Sequence, residues 1–213
     1  MNPLLLSYIE STILPLYASF DTAHREDHVK EVIARSMELA QYYDVDEDMV
    51  YTVAAYHDTG LCQGREYHHK ESARILLADI CLRRWFNDSQ IQTMADAVED
   101  HRASSSHAPR SIYGCIVAEA DRLIDPMVVV RRTIQYGLSH YPQLDKEAHF
   151  QRTCMHTQEK YMEGGYLKLW IPQSPNANQL ASLRSLFRNK TTFRQLFDNI
   201  YNEECTLKPS DTI

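Results

Sequence analysis

The stretch AAYHDTG, residues 54–60, sets His57 beside Asp58 at the end of an apolar run and just before a glycine. A neutral imidazole nitrogen next to a carboxylate is a mixed N/O chelating pair, better suited to Fe, Mn, Zn, Co or Ni than to Ca. On a helix, neighbouring side chains diverge by roughly 100°, so such a pair can serve one ligand only where the helix is about to stop. Residues of the same chemistry fall on core-facing positions elsewhere: His28 precedes Val32 by four residues, His57 follows Val53 by four, and Asp121 follows Val117 by four. All three side chains point the way the apolar ones point. A carboxylate turned toward a core is costly unless it is paired or bound to a cation. Asp121 therefore needs a partner, and His28, His57 and Asp58 are the residues that could share a cation with it. The plainer alternative is a hydrogen-bonded polar network in the core. His24 rivals His28, since HREDH spaces the two by four on one helix face. His101 continues the stripe of Ile91, Met94 and Val98, either as a further ligand or as a satisfied core histidine.

Helices are what must carry these residues. Few glycines and prolines, 6 and 8, and no recurrent strand-like alternation predict an all-α chain. A first amphipathic helix is expected from about Leu4 to Phe20, and a second, capped by Asp21 or Thr22, running to about Tyr43. DVDED caps a third helix, which Gly60 is expected to end in a left-handed conformation. Further helices are expected from His69 to about Trp85, from an Asp88 cap through His101, and over SIYGCIVAEADRLID to Pro126. PMVVVRRTIQYGLSH reads as a helix or, from its valine run, a strand. YPQLDKEAHF to YMEGGY is helical again, with Gly164 and Gly165 as a stop, and WIPQSPNANQ is a linker before one or two last helices. The expected organisation is one compact helical domain over residues 1–172 and a C-terminal helical extension packed on it over 173–213.

Composition narrows the function. With 213 residues, 44% of them hydrophobic, the chain can bury a core of ordinary size. A formal net charge of −7 argues against a partner made of polymeric nucleic acid, which needs a large basic surface. The apolar patches of MNPLLLSYIESTILPLYASF are interrupted by Glu10 and Pro15 well short of a membrane span, so no membrane segment is expected. Five dispersed cysteines without a CxxC pair fit a reduced, cytoplasmic chain. The aromatic pattern of Leu183, Leu186, Phe187, Phe193, Leu196 and Phe197 reads as core or as the face of a homo-oligomer.

The order His28, then His57-Asp58, then Asp121 within AEADRLID resembles the HD superfamily of metal-dependent phosphohydrolases, whose signature H…HD…D lies on an all-helical core. DTAHREDHVKEV around the first histidine, HHKESARIL after the HD pair and EDHR before the last aspartate resemble it too, over roughly residues 20–126. The resemblance implies that His28, His57, Asp58 and Asp121 bind a divalent metal ion (Mn, Fe, Co, Ni, Zn or Mg), and that the reaction is hydrolysis of a phosphoester, often in a nucleotide. Binuclear relatives carry two more histidines at positions that match His68, four before Ser72, and His101. Asp58 would then bridge two ions about 3.5 to 4 Å apart. His69 is expected to face solvent.

Departures from the family pattern bear on substrate. Many relatives have a lysine shortly after the HD pair, whereas TGLCQGRE leaves only Arg65 for that electrostatic work, and RLIDPMVVVRR replaces a glycine-rich segment after Asp121. Arg25, Arg65, Arg102 and Arg122 could grip phosphate oxygens, Arg102 and Arg122 foremost, because a planar guanidinium binds two at once. The expected function is hydrolysis of a small phosphorylated molecule, with a nucleotide first in line, and Asp58 holding both metal and attacking water. The alternatives are a metal- or nucleotide-binding regulatory protein without turnover, and a di-iron oxygenase of the myo-inositol oxygenase kind.

Overall fold

The structure is a computed structural model and describes residues 1–20 and 26–207. The expected cap at Asp21 or Thr22, His24 as a rival ligand, and Arg25 as a phosphate contact all lie outside the described residues. Every regular element among those described is helical, and they cluster into two compact units, Met1–Arg122 with Leu169–Ser174, and Leu123–Lys168 with Pro175–Ile213. The division thus falls at Arg122, and the WIPQS stretch belongs to the first unit, where the Trp170 N–H donates to Glu119 at 2.7 Å.

In the first unit, α1 (Pro3–Tyr8) is capped by the Asn2 side chain and continues through a wide π turn (Ile9–Ile13) into a tight 3-10 turn (Leu14–Ser19). Pro15, which lacks an N–H, sits in the first positions of that last turn. Leu5, Ile9, Ile13, Leu14 and Tyr17 all point into the core. The next helix, α2 (Glu26–Ala40), buries Val29, Val32, Ser36 and Leu39 at helical spacing, and ends three residues before the expected Tyr43. At the centre lies α3 (Glu47–Tyr56), capped by Asp46 and buried from Met49 to Tyr56. It packs against α2, α4 (His68–Ala78), α5 (Asp88–Asp100) and α6 (Ile112–Ala120). The stretch expected as one helix to Trp85 is α4 followed by a separate 3-10 turn, Ile80–Arg84, which Asp79 caps.

Two local expectations are corrected. The cap of α5 is Asn87 rather than Asp88: Asn87 and Gln90 satisfy each other's backbone N–H groups in a capping box. Gly60 is not in a left-handed conformation; the described glycines that are, Gly64 and Gly164, sit at φ 98° and 79°. Gly60 is needed instead for close approach. A Cβ there would collide with the His68 carbonyl oxygen and lie 2.5 Å from the Ser72 nitrogen, so only a glycine lets the start of α4 press against the turn after Asp58.

The second unit contains α7 (Pro126–His140), α8 (Lys146–Tyr161), α9 (Asn176–Arg188) and α10 (Lys190–Leu207). The valine run is helical. Asp125 caps it by accepting the Val128 N–H at 3.0 Å, Pro126 occupies the first helical position, and Val129 and Val130 face inward. Val130, Ile134, Phe193, Phe197 and Ile200 make this unit's core, and Arg131 bridges α7 to Glu203 and Glu204 of α10.

Candidate metal centre

Helix ends place every residue of the site. His28 lies in the first turn of α2, His57 directly after α3, His68 at the start of α4, His101 directly after α5 and Asp121 directly after α6. The HD pair comes together for the reason its position implied. His57 keeps helical angles (φ −52°, ψ −37°), but Asp58 swings to φ −113°, ψ 7°, which turns its carboxylate back to 3.3 Å from His57 Nε2. Tyr17 holds this break. Its buried hydroxyl donates to the Ala55 carbonyl at 2.9 Å and accepts the Asp58 N–H at 3.2 Å. On the other side, Ser72 Oγ accepts the Gly60 N–H at 2.8 Å.

The Asp58 carboxylate divides the site. Its Oδ2 lies 3.3 Å from His57 Nε2 and 3.7 Å from His28 Nε2, while its Oδ1 lies 3.4 Å from both His68 Nε2 and His101 Nε2. Asp121 Oδ1 joins the first group, 3.2 Å from His28 Nε2 and 3.9 Å from His57 Nε2. Ligand atoms of His28, His57 and Asp58 all lie within 4.8 Å of one another, and so do those of Asp58, His68 and His101. The structure thus brings together all six residues singled out as ligands: five form two trios that share the Asp58 carboxylate, and Asp121 stands beside the first trio.

The histidine rings are set for a cation. Nδ1 of His57, His68 and His101 lies 2.7, 2.7 and 2.6 Å from the carbonyls of Ala54, Arg65 and Val98. A carbonyl only accepts, so each Nδ1 carries the proton, and a neutral ring then aims the Nε2 lone pair into the site. His68 Nε2 faces His101 Nε2 at 3.2 Å, and His57 Nε2 faces His28 Nε2 at 3.4 Å. Paired ring nitrogens beside a carboxylate take a positive charge between them, a proton or a divalent ion with nitrogen and oxygen ligands.

Charge follows the same geometry. Burial pushes Asp58 up, but His57 and His101 outweigh it and hold its carboxyl well below the usual range. Asp121 is likewise held low against its burial by the hydrogen bond and charge of His28. Burial alone would lower His57, yet the two carboxylates raise it to about 9. Burial and the neighbouring His101 push His68 down to about 4. The first trio therefore holds a proton at neutral pH where an ion would sit, and His68 stays a neutral donor.

The site opens on one side. His57 and His101 side chains are 0% and 2% accessible, whereas Asp121 is 29%. Arg102 stands on the rim: it donates to the Glu66 carbonyl and to Ser104, and lies 3.3 Å from His69 Nδ1. His69, expected to face solvent, is instead half-buried against that guanidinium, and burial with the Arg102 charge pushes it down to about 4. Arg122 is placed differently. It is buried, and its guanidinium turns back to the Ala118 carbonyl. Exposed Arg65 lines a cavity of about 340 Å³ with Ser19, Phe20, Leu61, Cys62 and Gly64. Two of its lining residues bond to residues of the centre: the Leu61 N–H donates to the Asp58 carbonyl at 3.0 Å, and the Arg65 carbonyl accepts from His68 Nδ1 at 2.7 Å.

Sequence reasoning missed Tyr17 and Ser72. Tyr17 lies on the apolar face of an amphipathic helix and reads as core, and no pattern marks its hydroxyl as the group that seats Asp58.

Comparison with known proteins bears on both fold and centre. Residues 25–124 match the family model of the HD domain, a span that contains all six clustered residues. The chain is also similar to the crystal structure of a predicted HD superfamily hydrolase from an uncultured Thermotogales bacterium, at 20% identity and a TM-score of 0.50. That likeness covers 74% of this chain and 94% of the other. No curated protein matches the chain.

Proposed function

We propose that the protein is a metal-dependent phosphohydrolase acting on a small phosphorylated molecule, with a nucleotide as the substrate; the match of residues 25–124 to the family model of the HD domain supports this reading. The observation that carries it is Asp58, which presents one carboxylate oxygen to each of two histidine clusters. His28, His57, Asp58 and Asp121 would hold one divalent ion, and Asp58, His68 and His101 a second. Metal ions so placed polarise phosphoryl oxygens and lower the pKa of water, giving a nucleophile near neutral pH.

The protein's own groups do the rest. Asp58 and Asp121 set the charge of the centre, and Asp121, on its open side, is placed to accept a hydrogen bond from water. Arg102 on the rim offers a guanidinium to charge that develops on the phosphoryl oxygens. Arg122 does not: its turn toward Ala118 fits a role in seating the end of α6. The cavity beside Arg65 lies at the small end of the range for ligand pockets, roughly 300 to 1,000 Å³, which suits the organic part of a single small molecule. A net charge of −7 points away from a polymer of phosphates.

Six ligands around a shared carboxylate are also what a pair of irons needs for oxygen chemistry, so that reading is tested alongside. Purified protein is assayed against nucleotides and generic phosphoesters with Mn, Co, Ni, Mg or Fe, and oxygen uptake is followed with iron. Phosphate release that depends on metal is the expected result. Tight metal binding without hydrolysis of any phosphoester would replace the proposal with a regulatory binding role, and oxygen consumption with an oxygenase.

A further inference from the structure

We propose that the ion pair between buried Asp100 and exposed Arg110 positions His101 and Arg102, and so completes the second histidine cluster; the inference rests on the two-ion reading above. Asp100 is the last residue of α5 and is 3% exposed. Its carboxylate accepts the Arg110 backbone N–H at 2.7 Å, Nε at 3.0 Å and Nη2 at 2.8 Å. The same guanidinium reaches one turn back along α5, to the Asp96 carbonyl at 3.1 Å, and binds the Asp96 and Glu99 carboxylates at 3.2 and 2.7 Å. His107 Nδ1 stands 3.8 Å from Asp100.

Arg110 thus sets its guanidinium against the last turn of α5, on the Asp96 carbonyl and the Asp100 carboxylate. The last carbonyls of a helix lack partners and carry the negative end of its dipole, so a cation there opposes fraying. The turn it clamps is the one that aims His101. That ring's Nδ1 bonds the Val98 carbonyl, and its Nε2 reaches Asp58 and His68 only if the turn stays wound. Arg102 follows immediately and ties the closed loop to Glu66 and His69, on either side of His68 in the chain. Gly114 of α6 leaves room for the clamp, because a Cβ there would lie 3.0 Å from Pro109 Cβ and 3.3 Å from Asp100 Cβ.

Stability alone does not explain the arrangement. An ion pair whose guanidinium is 41% accessible adds little to stability, whereas a bidentate guanidinium fixes geometry. Asp100 and Arg110 touch none of the ligand atoms, so they are positioning residues.

The test uses Arg110→Gln, which keeps length but loses the charge and the fork, and Gly114→Ala, which pushes on the same pair without changing its charge. In metal-free protein, long-range proton–nitrogen spectra of the imidazole rings report each tautomer. In both variants the His101 signals should move away from the single Nδ1-protonated form and those of His68 should shift, while His28 and His57 stay as in the parent. Metal titration should show the weaker site losing at least about tenfold in affinity, or about 1.4 kcal/mol, with the stronger site unchanged. Ring signals for His101 like those of the parent, in variants that are folded but melt at lower temperature, would overturn the proposal and leave the pair a structural contact. If Arg110→Gln does not fold, Gly114→Ala decides by the same spectra. A parent protein that takes up only one ion removes the two-ion reading, and the ring spectra still decide whether the clamp aims His101.

Discussion

At the scale of single residues, the chemistry rests on carboxylates whose burial makes sense only beside positive charge. Asp58→Ala and Asp121→Ala should each lower metal content and cut hydrolysis by at least about 100-fold, the scale of losing one charge-stabilising group in a site. Elemental analysis and circular dichroism check this, and full metal occupancy in both folded variants would sink the assignment. Protons should follow the metal. His57, raised to about 9 by its carboxylate neighbours against its burial, is protonated at pH 7, so the first ion must expel about one proton. Its ordinary value is about 6.5, so in metal-free protein its pairing contributes stability that is complete below that value and is lost as pH rises through about 9. Metal affinity should therefore climb from pH 7 to 9 and level off, and hydrolysis should fall as the solution turns acidic. His68, pushed down to about 4, gives up no proton at pH 7 when a second ion binds. Calorimetry in two buffers of different protonation enthalpy measures the count, and uptake of the first ion without proton release at pH 7 would contradict it.

Helix ends, the next scale up, turn scattered residues into a site. The third helix has to stop after Tyr56 so that Asp58 can turn back on His57, and the first residue of α4 has to press on that break. Gly60→Ala should separate the two. The added methyl meets backbone, which cannot swing aside, so the cost should reach or exceed the about 1–3 kcal/mol usual for overpacking. Metal capacity should fall as His68 is displaced. An unchanged melting temperature and unchanged metal uptake would show that α4 does not need this close approach. Stripe periodicity predicted α5, which buries one apolar face, whereas α3 and α6 are apolar and buried at consecutive positions and were legible from their length and caps. Periodicity misplaced the ends. Asn87 and Asp88 are both good caps, and only the reciprocal bond to Gln90 chooses between them. The valine run of α7 is ambiguous by propensity, and the Asp125 cap with Pro126 behind it resolves it as helix.

Across the whole molecule, the six clustered residues all lie in the unit built from Met1–Arg122 and Leu169–Ser174, while the aromatic residues of α10 make the core of the other. Phe197→Ala, which empties the centre of that second core, should cost about 3–5 kcal/mol and leave metal content per folded molecule unchanged. Denaturant unfolding with metal analysis checks both, and a proportional loss of metal would tie the centre to the second unit. No helix among the described residues is long and apolar enough to cross a membrane. The helical class was legible in the sequence, and so were the six residues that the structure brings close together. Periodicity reports which side chains point inward, and an inward Asp or His without a neutral explanation stands out. Tertiary structure alone decided that Asp58 faces both histidine clusters, that Arg102 reaches the rim while Arg122 turns away, and that Tyr17 and Arg110 hold the ends in place. Those outcomes depend on distances between helices far apart in the chain, and no local pattern encodes a distance across a core. The division into units at Arg122 has the same origin, because it reflects which faces bury each other and not where the chain looks like a linker.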